Sequence, residues 1–230
     1  MLQYDVIISG GGMVGASLAC ALSGKGLRIA QLEAVALQTR SAPGYDDRAI
    51  ALAYGTRRIF EGLQLWDSLA AQATPIHHIH VSDRGRFGMV HMDRAEERLP
   101  ALGYVVPARV IGDVLSAAVR QIGELDSYCP ATVTSVSQAD EAINVNISHE
   151  GKTTTLSAAL LVAADGADSP LREQFGISHV ETDYRQTAIV TNITPQLAHN
   201  NIAYERFTDS GPMALLPMTE QRCAVVWTVD

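Results

Sequence analysis

The first 33 residues have the pattern of one dinucleotide-binding βαβ unit, and this pattern constrains the fold more than any other part of the chain. A short apolar strand, residues 4–9, runs directly into Gly-Gly-Gly-Met-Val-Gly at residues 10–15. An alanine-rich stretch, residues 16–25, predicts a helix, and a second predicted strand, residues 27–32, ends on Glu33. Because strand, glycine turn, helix, second strand and acidic residue occur in this order, the segment predicts a nucleotide site.

Each glycine of the loop has a predicted physical role. Gly10 permits the tight turn, Gly12 lets the backbone approach a pyrophosphate, and Gly15 lets the helix pack closely on the strand. The N-terminus of the helix offers N–H groups and the positive end of a dipole to phosphates. The carboxylate of Glu33 is placed to accept hydrogen bonds from a ribose. The alternative is a plain glycine turn in an α/β core.

Composition limits the classes of protein that remain. Of 230 residues, 47% are hydrophobic and 18% charged, which indicates a globular chain of one large or two small domains. The net charge of −8 argues against a nucleic-acid partner. The longest apolar run, residues 158–164, is too short to span a bilayer, and we expect no signal peptide. Three widely separated cysteines suit reduced thiols and predict a cytoplasmic protein.

The rest of the chain alternates between helical and strand-like patterns. Arg48 is predicted to open a helical stretch that continues as an amphipathic helix over residues 56–73, and a further helix is predicted over residues 108–121. Residues 160–164 are apolar at every position, which predicts a central strand covered on both faces. This strand ends on Asp165-Gly166.

The order of these elements predicts two interleaved domains. The first is a parallel α/β nucleotide domain of residues 1–75 and 105–180. The second is a β-rich domain of residues 76–104 and 181–230. The chain ends in strand-like sequence, from which we expect a piece of a longer enzyme.

Four separated segments resemble one family, the FAD-dependent aromatic hydroxylases of the para-hydroxybenzoate hydroxylase group. They are the glycine loop with Glu33, the segment Asp-Arg-Ala-Ile-Ala-Leu at residues 47–52, the helix near Arg109, and the pattern Asp-Gly-x-x-Ser-x-x-Arg at residues 165–172. Three further segments, residues 44–53, 80–85 and 204–218, resemble the ubiquinone-biosynthesis branch of that family.

The resemblance implies an α/β fold in which a Rossmann-like FAD-binding domain is interleaved with a β-rich substrate domain. The implied cofactor-binding residues are Gly10, Gly12, Met13, Val14, Gly15, Glu33, Arg48, Arg109, Val133, Asp165 and Gly166. Three of them have ordinary alternatives. Arg48 suits a surface ion pair, Asp165 suits a helix N-cap, and Arg109 suits solvated surface.

The resemblance also implies a reaction. NAD(P)H reduces FAD, O₂ adds to the reduced flavin to give a hydroperoxide, and the electron-rich ring of a phenol attacks the distal oxygen, so the cofactor carries the chemistry. The implied partners are a prenylated phenol, O₂, a ubiquinone-biosynthesis protein complex and, through the substrate, peripheral membrane contact. The residues point to no catalytic base. The open alternatives are a nicotinamide dehydrogenase, a reductase or halogenase of the same fold, and an inactive truncated chain.

Histidines and aromatic residues form a second group of candidates. His78, His80 and His91 fall on predicted strands, and since no set of four converging ligands accompanies them, we expect strand-surface histidines and no metal site. Tyr204, Phe207 and residues 213–218 suit either an apolar pocket for a prenyl tail or ordinary sheet core.

Overall fold

A computed structural model describes residues 3–35, 48–139 and 142–229. It divides into two compact units, one of Met1–Arg40 with Leu115–Val180 and one of Ser41–Val114 with Glu181–Asp230. In chain order the strands and helices are β1 (Tyr4–Ser9), α1 (Met13–Leu22), β2 (Ile29–Leu32), β3 (Ala49–Ala53), α2 (Tyr54–Gly62), α3 (Trp66–Ala70), β4 (Thr74–Ile76), β5 (His78–Asp83), β6 (Met89–Asp93), β7 (Gly103–Pro107), α4 (Ala108–Val119), β8 (Leu125–Tyr128), β9 (Ala131–Ala139), β10 (Ala142–His149), β11 (Lys152–Ala163), α5 (Pro170–Gln174), β12 (Thr187–Ile193), β13 (Ile202–Thr208), β14 (Gly211–Pro217) and β15 (Cys223–Val229).

The first unit contains a six-stranded mixed sheet in the order β8-β2-β1-β11-β10-β9. Strands β8, β2, β1 and β11 are parallel, and β11, β10 and β9 form an antiparallel meander. Ile7 and Leu32 of the parallel part share one core with Val145, Ile147 and Leu156 of the meander. The predicted α/β fold class is confirmed, and the helix–strand alternation at the N-terminus gives the parallel pairing of β1 with β2.

The second unit is dominated by strands. One sheet has the order β12-β15-β14-β13-β5-β6, and a smaller sheet has the order β3-β7-β4. Residues of both sheets form one core, to which Ile76, Val105, Ala203, Met218 and Ala224 contribute buried side chains. The larger sheet is antiparallel apart from the parallel pair of β13 and β5.

The helix predicted to start at Arg48 is wrong, because residues 49–53 form strand β3. This strand pairs antiparallel with β7 along its whole length, from Ala49 opposite Pro107 to Ala53 opposite Gly103. Gly103 allows the approach, since a Cβ atom there would lie 2.6 Å from the carbonyl oxygen of Leu52. Alanine and leucine favour helix locally, and sheet pairing overrides that preference.

The long amphipathic helix predicted over residues 56–73 is two helices, α2 and α3. Gln64 lies between them with a φ of 59°, a conformation that no α-helix continues through. Phe60 of α2 and Leu69 of α3 are both buried, so the apolar periodicity identified core residues correctly although it missed the break.

The division into compact units differs from the predicted domain boundaries at residues 75 and 105. Residues 48–75 and 105–114 lie in the β-rich unit, because β3 and β4 pair with β7. The boundary near residue 114 falls inside helix α4, so no loop or turn signal in the sequence accompanies it. Most of the predicted loop at residues 34–47 lies outside the described residues.

Strand β11 is central in its sheet, but the prediction that residues 160–164 are covered on both faces is wrong. Leu160 is 53% exposed although its strand lies between β1 and β10. The all-apolar pattern correctly predicted that this strand lies in the interior of the sheet order. It did not predict whether other elements cover the two faces of the strand. Among the helices of the described residues, we find none with the length and apolarity needed to cross a membrane.

An arginine held by aromatic rings stabilises the second unit. The guanidinium of Arg57 lies 5.3 Å from the ring centroids of both Trp66 and Tyr104 and 5.7 Å from that of Tyr54. It also donates a hydrogen bond to the Tyr104 hydroxyl at 2.9 Å and pairs with Glu61 at 2.6 Å. Helix α2 is thereby tied to both α3 and β7.

We expect Arg57→Ala to lower the free energy of unfolding by about 1–3 kcal/mol, because cation–π contacts and a charged hydrogen bond are lost together. Arg58→Ala is the matched control, since Arg58 is the exposed neighbour on the same helix and should change stability by less than about 0.5 kcal/mol. Urea unfolding followed by circular dichroism measures both. Equal effects of the two substitutions would contradict the stabilising role of the aromatic contacts.

Candidate cofactor site

The glycine loop and the Asp-Gly segment lie side by side at the carboxyl ends of β1 and β11. The backbone N–H of Ala164 donates to the carbonyl of Ser9 at 2.7 Å, and the N–H of Gly10 donates to the carbonyl of Leu32 at 2.8 Å. Gly10 has a φ of 114°, and a Cβ atom on it would collide with the carbonyl oxygen of Ala164. Two motifs 154 residues apart in sequence therefore meet at one edge of the sheet, where open α/β sheets bind their ligands.

Gly15 lets helix α1 pack closely on the first strand. A Cβ atom on it would collide with the carbonyl oxygen of Gly10 and lie 3.2 Å from Cγ2 of Ile8. Gly15, Ala16 and Ala19 are the buried residues of the helix, so only small side chains face the sheet. The structure gives Gly10 and Gly15 the turn and packing roles predicted from the loop.

The N-terminus of α1 offers the features that a pyrophosphate requires. Gly12 is the N-cap and has no side chain to accept from the first-turn N–H groups, and no acidic residue occupies that turn. A Cβ atom on Gly12 would meet nothing within 4 Å, and the same is true of Gly166, whose φ is 102°. The open space lies beside first-turn amides that no side chain caps, and the positive end of the helix dipole favours an anion there. Both features fit a phosphate group.

Glu33 is bound to the glycine loop itself. Its Oε2 accepts the N–H of Gly11 at 2.7 Å and its Oε1 accepts the N–H of Val35 at 2.8 Å. A Cβ atom on Gly11 would lie 2.9 Å from Oε2, so the second glycine of the triplet makes room for this carboxylate. A carboxylate oxygen can accept two hydrogen bonds, so each oxygen of Glu33 has capacity left for the ribose predicted from sequence.

Asp165 bonds to the first turn of the short helix α5, whose N-cap residue is Ser169. Its carboxylate accepts the Ser169 hydroxyl at 2.5 Å and the N–H of Leu171 at 3.3 Å, and Ser169 in turn accepts the N–H of Arg172 at 3.0 Å. The guanidinium of Arg172 donates to the carbonyl of Ala167 at 2.6 Å. The three polar residues of the Asp-Gly-x-x-Ser-x-x-Arg pattern thus have local structural partners, and Gly166 has a positive φ.

The remaining candidates in the first unit differ in exposure. Met13 and Val14 begin helix α1 and are 40% and 74% exposed. Val133 is partly buried against the core of the unit, two residues after Ala131, whose N–H donates to the carbonyl of Glu33 at 2.7 Å. Strand β9 therefore begins beside Glu33, and Val133 lies on this strand two residues beyond that contact.

Arg48 and Arg109 belong to the second compact unit. The carbonyl of Arg48 accepts the N–H of Ala108 at 2.8 Å, so the start of β3 and the start of α4 adjoin. Arg48 is exposed and Arg109 is half-buried with interactions of its own. The structure brings these two arginines near each other, and their predicted contact with the cofactor stays a prediction.

A cleft of about 420 Å³ lies on the larger sheet of the second unit. Its lining includes His78 and His80 of β5, His91 and Asp93 of β6, and Tyr204 of β13. His80 pairs with His91, their rings 4.5 Å apart, and Nδ1 of His78 lies 3.2 Å from Asp93. Among the described residues, no group of three or more histidine, cysteine or acidic side chains is arranged to hold a metal ion.

Tyr204 and Phe207 cannot line the same face of their sheet. They are three positions apart on β13, and side chains on a strand alternate between faces. Tyr204 contacts the cleft, with its ring 5.7 Å from that of His80. The sequence prediction grouped these aromatic residues because they are close along the chain. The cleft is formed by three strands, so its lining residues could be identified only once the pairing of those strands was known.

His77 precedes the cleft strands and has a pKa lowered from its ordinary value. Burial is the largest cause, followed by the charge of Arg94 and the proximity of His78, while Asp93 opposes the shift. The unfolded chain therefore binds a proton to His77 near pH 6.5 more readily than the folded chain does. We expect the free energy of unfolding to fall as the pH is lowered through this window.

Urea unfolding at a series of pH values between neutral and mildly acidic tests this expectation with wild-type protein and His77→Gln. The advantage of wild type over the variant should shrink on acidification, because only wild type carries the proton-linked penalty. An advantage that stays constant or grows would contradict the lowered pKa.

The βαβ unit, the loop geometry and the adjoining Asp-Gly turn together define a dinucleotide-binding α/β protein. Comparison with known families gives the particular class: residues 3–230 match the FAD binding domain family. The chain belongs to this family, and the resemblance drawn from its sequence is confirmed. FAD is accordingly the cofactor of the class, with NAD(P)H the reductant typical of the family.

Two relatives carry names that refer to ubiquinone. The ubiquinone hydroxylase UbiL of Rhodospirillum rubrum is 35% identical over 224 residues, which are 97% of this chain and 51% of that protein. The ubiquinone biosynthesis monooxygenase COQ6 of Rattus norvegicus is 30% identical over 242 residues, covering 99% of this chain and 50% of its own length. The chain therefore spans about half the length of the curated relatives it matches.

The solved structure of p-nitrophenol 4-monooxygenase PnpA from Pseudomonas putida shares the fold. It superposes with a TM-score of 0.80 at 19% identity, over 98% of this chain and 57% of PnpA. At this level of identity the likeness supports the fold and not the substrate.

Proposed function

We propose that this chain forms the FAD-binding part of a monooxygenase that hydroxylates a prenylated phenol in ubiquinone biosynthesis. The observation that carries the proposal is the convergence of the glycine loop, Glu33 and the Asp-Gly turn at one sheet edge. The relatives of the chain include a ubiquinone hydroxylase and a ubiquinone biosynthesis monooxygenase. Within that branch, the segments at residues 44–53, 80–85 and 204–218 resemble 2-octaprenyl-6-methoxyphenol hydroxylase.

When bound, FAD would supply the redox chemistry of the hydroxylation, with NAD(P)H as the reductant and O₂ as the oxidant. The residues of the chain bind and orient it. First-turn amides of α1 at Met13 and Val14 receive the pyrophosphate, where Gly12 leaves room. Glu33 accepts from the ribose, and Asp165 fixes the turn that presents the backbone of Gly166.

The arginines of the second unit supply positive charge in this proposal. Arg48 and Arg109 stand at adjoining starts of β3 and α4, and positive charge near a reduced, anionic ring or its phosphates lowers the energy of that state. Val133 completes the set of proposed contacts. The proposed partners are a prenylated phenol, O₂ and a ubiquinone-biosynthesis protein complex, with peripheral membrane contact through the substrate. The cytoplasmic location predicted from the cysteines stays a prediction.

Adding FAD to the purified chain, desalting, and identifying the released small molecule by mass spectrometry tests the cofactor. We expect retained flavin absorption and release of FAD, with no retention of NAD added in parallel. Retention of NAD without flavin would overturn the proposal in favour of a nicotinamide dehydrogenase.

Activity is tested separately, by NAD(P)H oxidation and product analysis with a prenylated phenol, using a version extended to the length of the relatives. Hydroxylated product supports the substrate assignment. Halogenated or reduced product would transfer the assignment to another flavin enzyme of the same fold, and an inert but FAD-loaded protein would support a non-catalytic role.

A further inference from the structure

The β5–β6 hairpin exposes a group of large apolar side chains at the edge of the larger sheet. Phe87 at the turn is fully exposed, and Met89, Val90 and Met92 of strand β6 are 62%, 54% and 43% exposed. Strand β6 is the last strand of its sheet. We call these four residues the hairpin surface.

The hairpin surface is apolar on both faces of the strand. Met89 lies opposite Ser82, and the next residue, Val90, lies opposite Val81 and points to the other face. Met92 lies on the same face as Val90, and Phe87 stands beyond the paired residues between Gly85 and Gly88. A protein partner docking on a sheet covers one face of it, whereas a surrounding apolar medium covers both faces and the tip.

The charges beside the hairpin surface favour an anionic medium. Residues 83–94 contain three arginines and two carboxylates, in a chain whose net charge is −8. The side chains of Arg84 and Arg86 are 63% and 81% exposed. They face Asp209 at 3.8 Å and Asp83 at 3.2 Å, and such exposed ion pairs are weak enough to exchange for other anions.

We propose that the β5–β6 hairpin docks this protein on an anionic lipid bilayer. Phe87 and Met89 enter the boundary between headgroups and acyl chains, while Arg84 and Arg86 bind lipid phosphates. The preference for a bilayer over other apolar partners rests on the proposed function, because a prenylated substrate is held in a membrane. The exposed side chains themselves are independent of that function.

Sedimentation with sucrose-loaded vesicles, of phosphatidylcholine with and without phosphatidylglycerol, tests the proposal on the intact chain. We expect binding to the anionic vesicles, lowered about tenfold or more by Phe87→Asp. The double substitution Arg84→Gln with Arg86→Gln should reduce binding to anionic vesicles and its dependence on salt. Leu197→Asp is the matched control, since Leu197 is 83% exposed elsewhere in the same unit.

A tryptophan placed at the tip reports insertion directly. Phe87→Trp should show a blue-shifted emission with anionic vesicles and quenching by brominated lipids, beyond the signal of Trp66 and Trp227 in the wild type. Absence of vesicle binding, or an equal loss in Leu197→Asp, would overturn the proposal. A change of oligomeric state in Phe87→Asp without vesicle binding would show an interface between copies.

The same variants titrated with FAD separate this proposal from the proposed function. Normal FAD uptake without vesicle binding overturns the docking surface alone. Vesicle binding without FAD uptake supports the docking surface and counts against the cofactor assignment alone.

Discussion

Gly10→Ala is expected to lower the free energy of unfolding by roughly 3 kcal/mol or more, enough to unfold a large fraction of a marginally stable domain. Two costs combine at this residue. Its φ of 114° lies where an L side chain is strained, and the new methyl group would collide with the carbonyl oxygen of Ala164. Relief would require β1 and the Asp-Gly segment to separate, which breaks the hydrogen bond from Ala164 N–H to Ser9.

The control for this prediction is Gly12→Ala, two residues further on. Gly12 has extended backbone at φ −67° and ψ −177°, and nothing lies within 4 Å of its Cβ direction. As an N-cap change from glycine to alanine it should cost about 1 kcal/mol or less. Urea unfolding of both variants, followed by circular dichroism, gives the difference. Equal stability of the two variants would show that the chain accommodates a side chain at Gly10 and that the contact with Ala164 is loose.

The loop and its neighbour illustrate what sequence could supply at this site. The spacing of Gly10, Gly12 and Gly15 was enough to predict a turn, a phosphate position and close helix packing, because each role depends on residues within one βαβ unit. The partner that crowds Gly10 is Ala164, and its identity depends on the parallel pairing of β1 with β11. A local sequence pattern does not show which strands pair or in which register. The two motifs could therefore be recognised separately, but the contact between them could not be predicted.

Strand β3 shows the opposite case, in which a local preference was misleading. Residues 49–53 are alanine, isoleucine and leucine, and nothing within that segment marks it as a strand. The strand exists because β7 offers a pairing partner and Gly103 allows close approach to Leu52. The same pairing has a consequence for the compact units: residues 48–75, predicted to belong to the nucleotide domain, lie in the β-rich unit.

The histidine cleft shows the same limit for side-chain clusters. Alternation along residues 78–83 placed His78 and His80 on one face, as the structure has them. Their neighbours His91, Asp93 and Tyr204 come from two other strands, and only the pairing of β5 with both β6 and β13 brings the five together. The sequence alone therefore predicted that the two histidines share a face. It could not predict which residues of other strands lie beside them, because that depends on the pairing register.

Gly12→Val is expected to weaken FAD binding by roughly 10- to 100-fold while the chain stays folded. The side chain would extend into the open space beside the first-turn amides of α1, where the proposal places the pyrophosphate. Crowding of a well-fitted group costs about 1–3 kcal/mol, and each 1.4 kcal/mol corresponds to a tenfold change in affinity. The extended backbone at this residue is one that valine adopts readily, so the fold should lose about 1 kcal/mol or less.

Gly55→Val provides the comparison, because Gly55 lies in the first turn of helix α2, has no positive φ and has open space at its Cβ direction. Quenching of flavin fluorescence on titration gives the dissociation constant for each variant, and urea unfolding confirms that both are folded. Since the two substitutions add the same side chain, a selective loss in Gly12→Val assigns the effect to the space in front of α1. Equal affinity in all three proteins would mean that this helix N-terminus does not hold the pyrophosphate, and the cofactor assignment would then have to rest on the Asp-Gly turn.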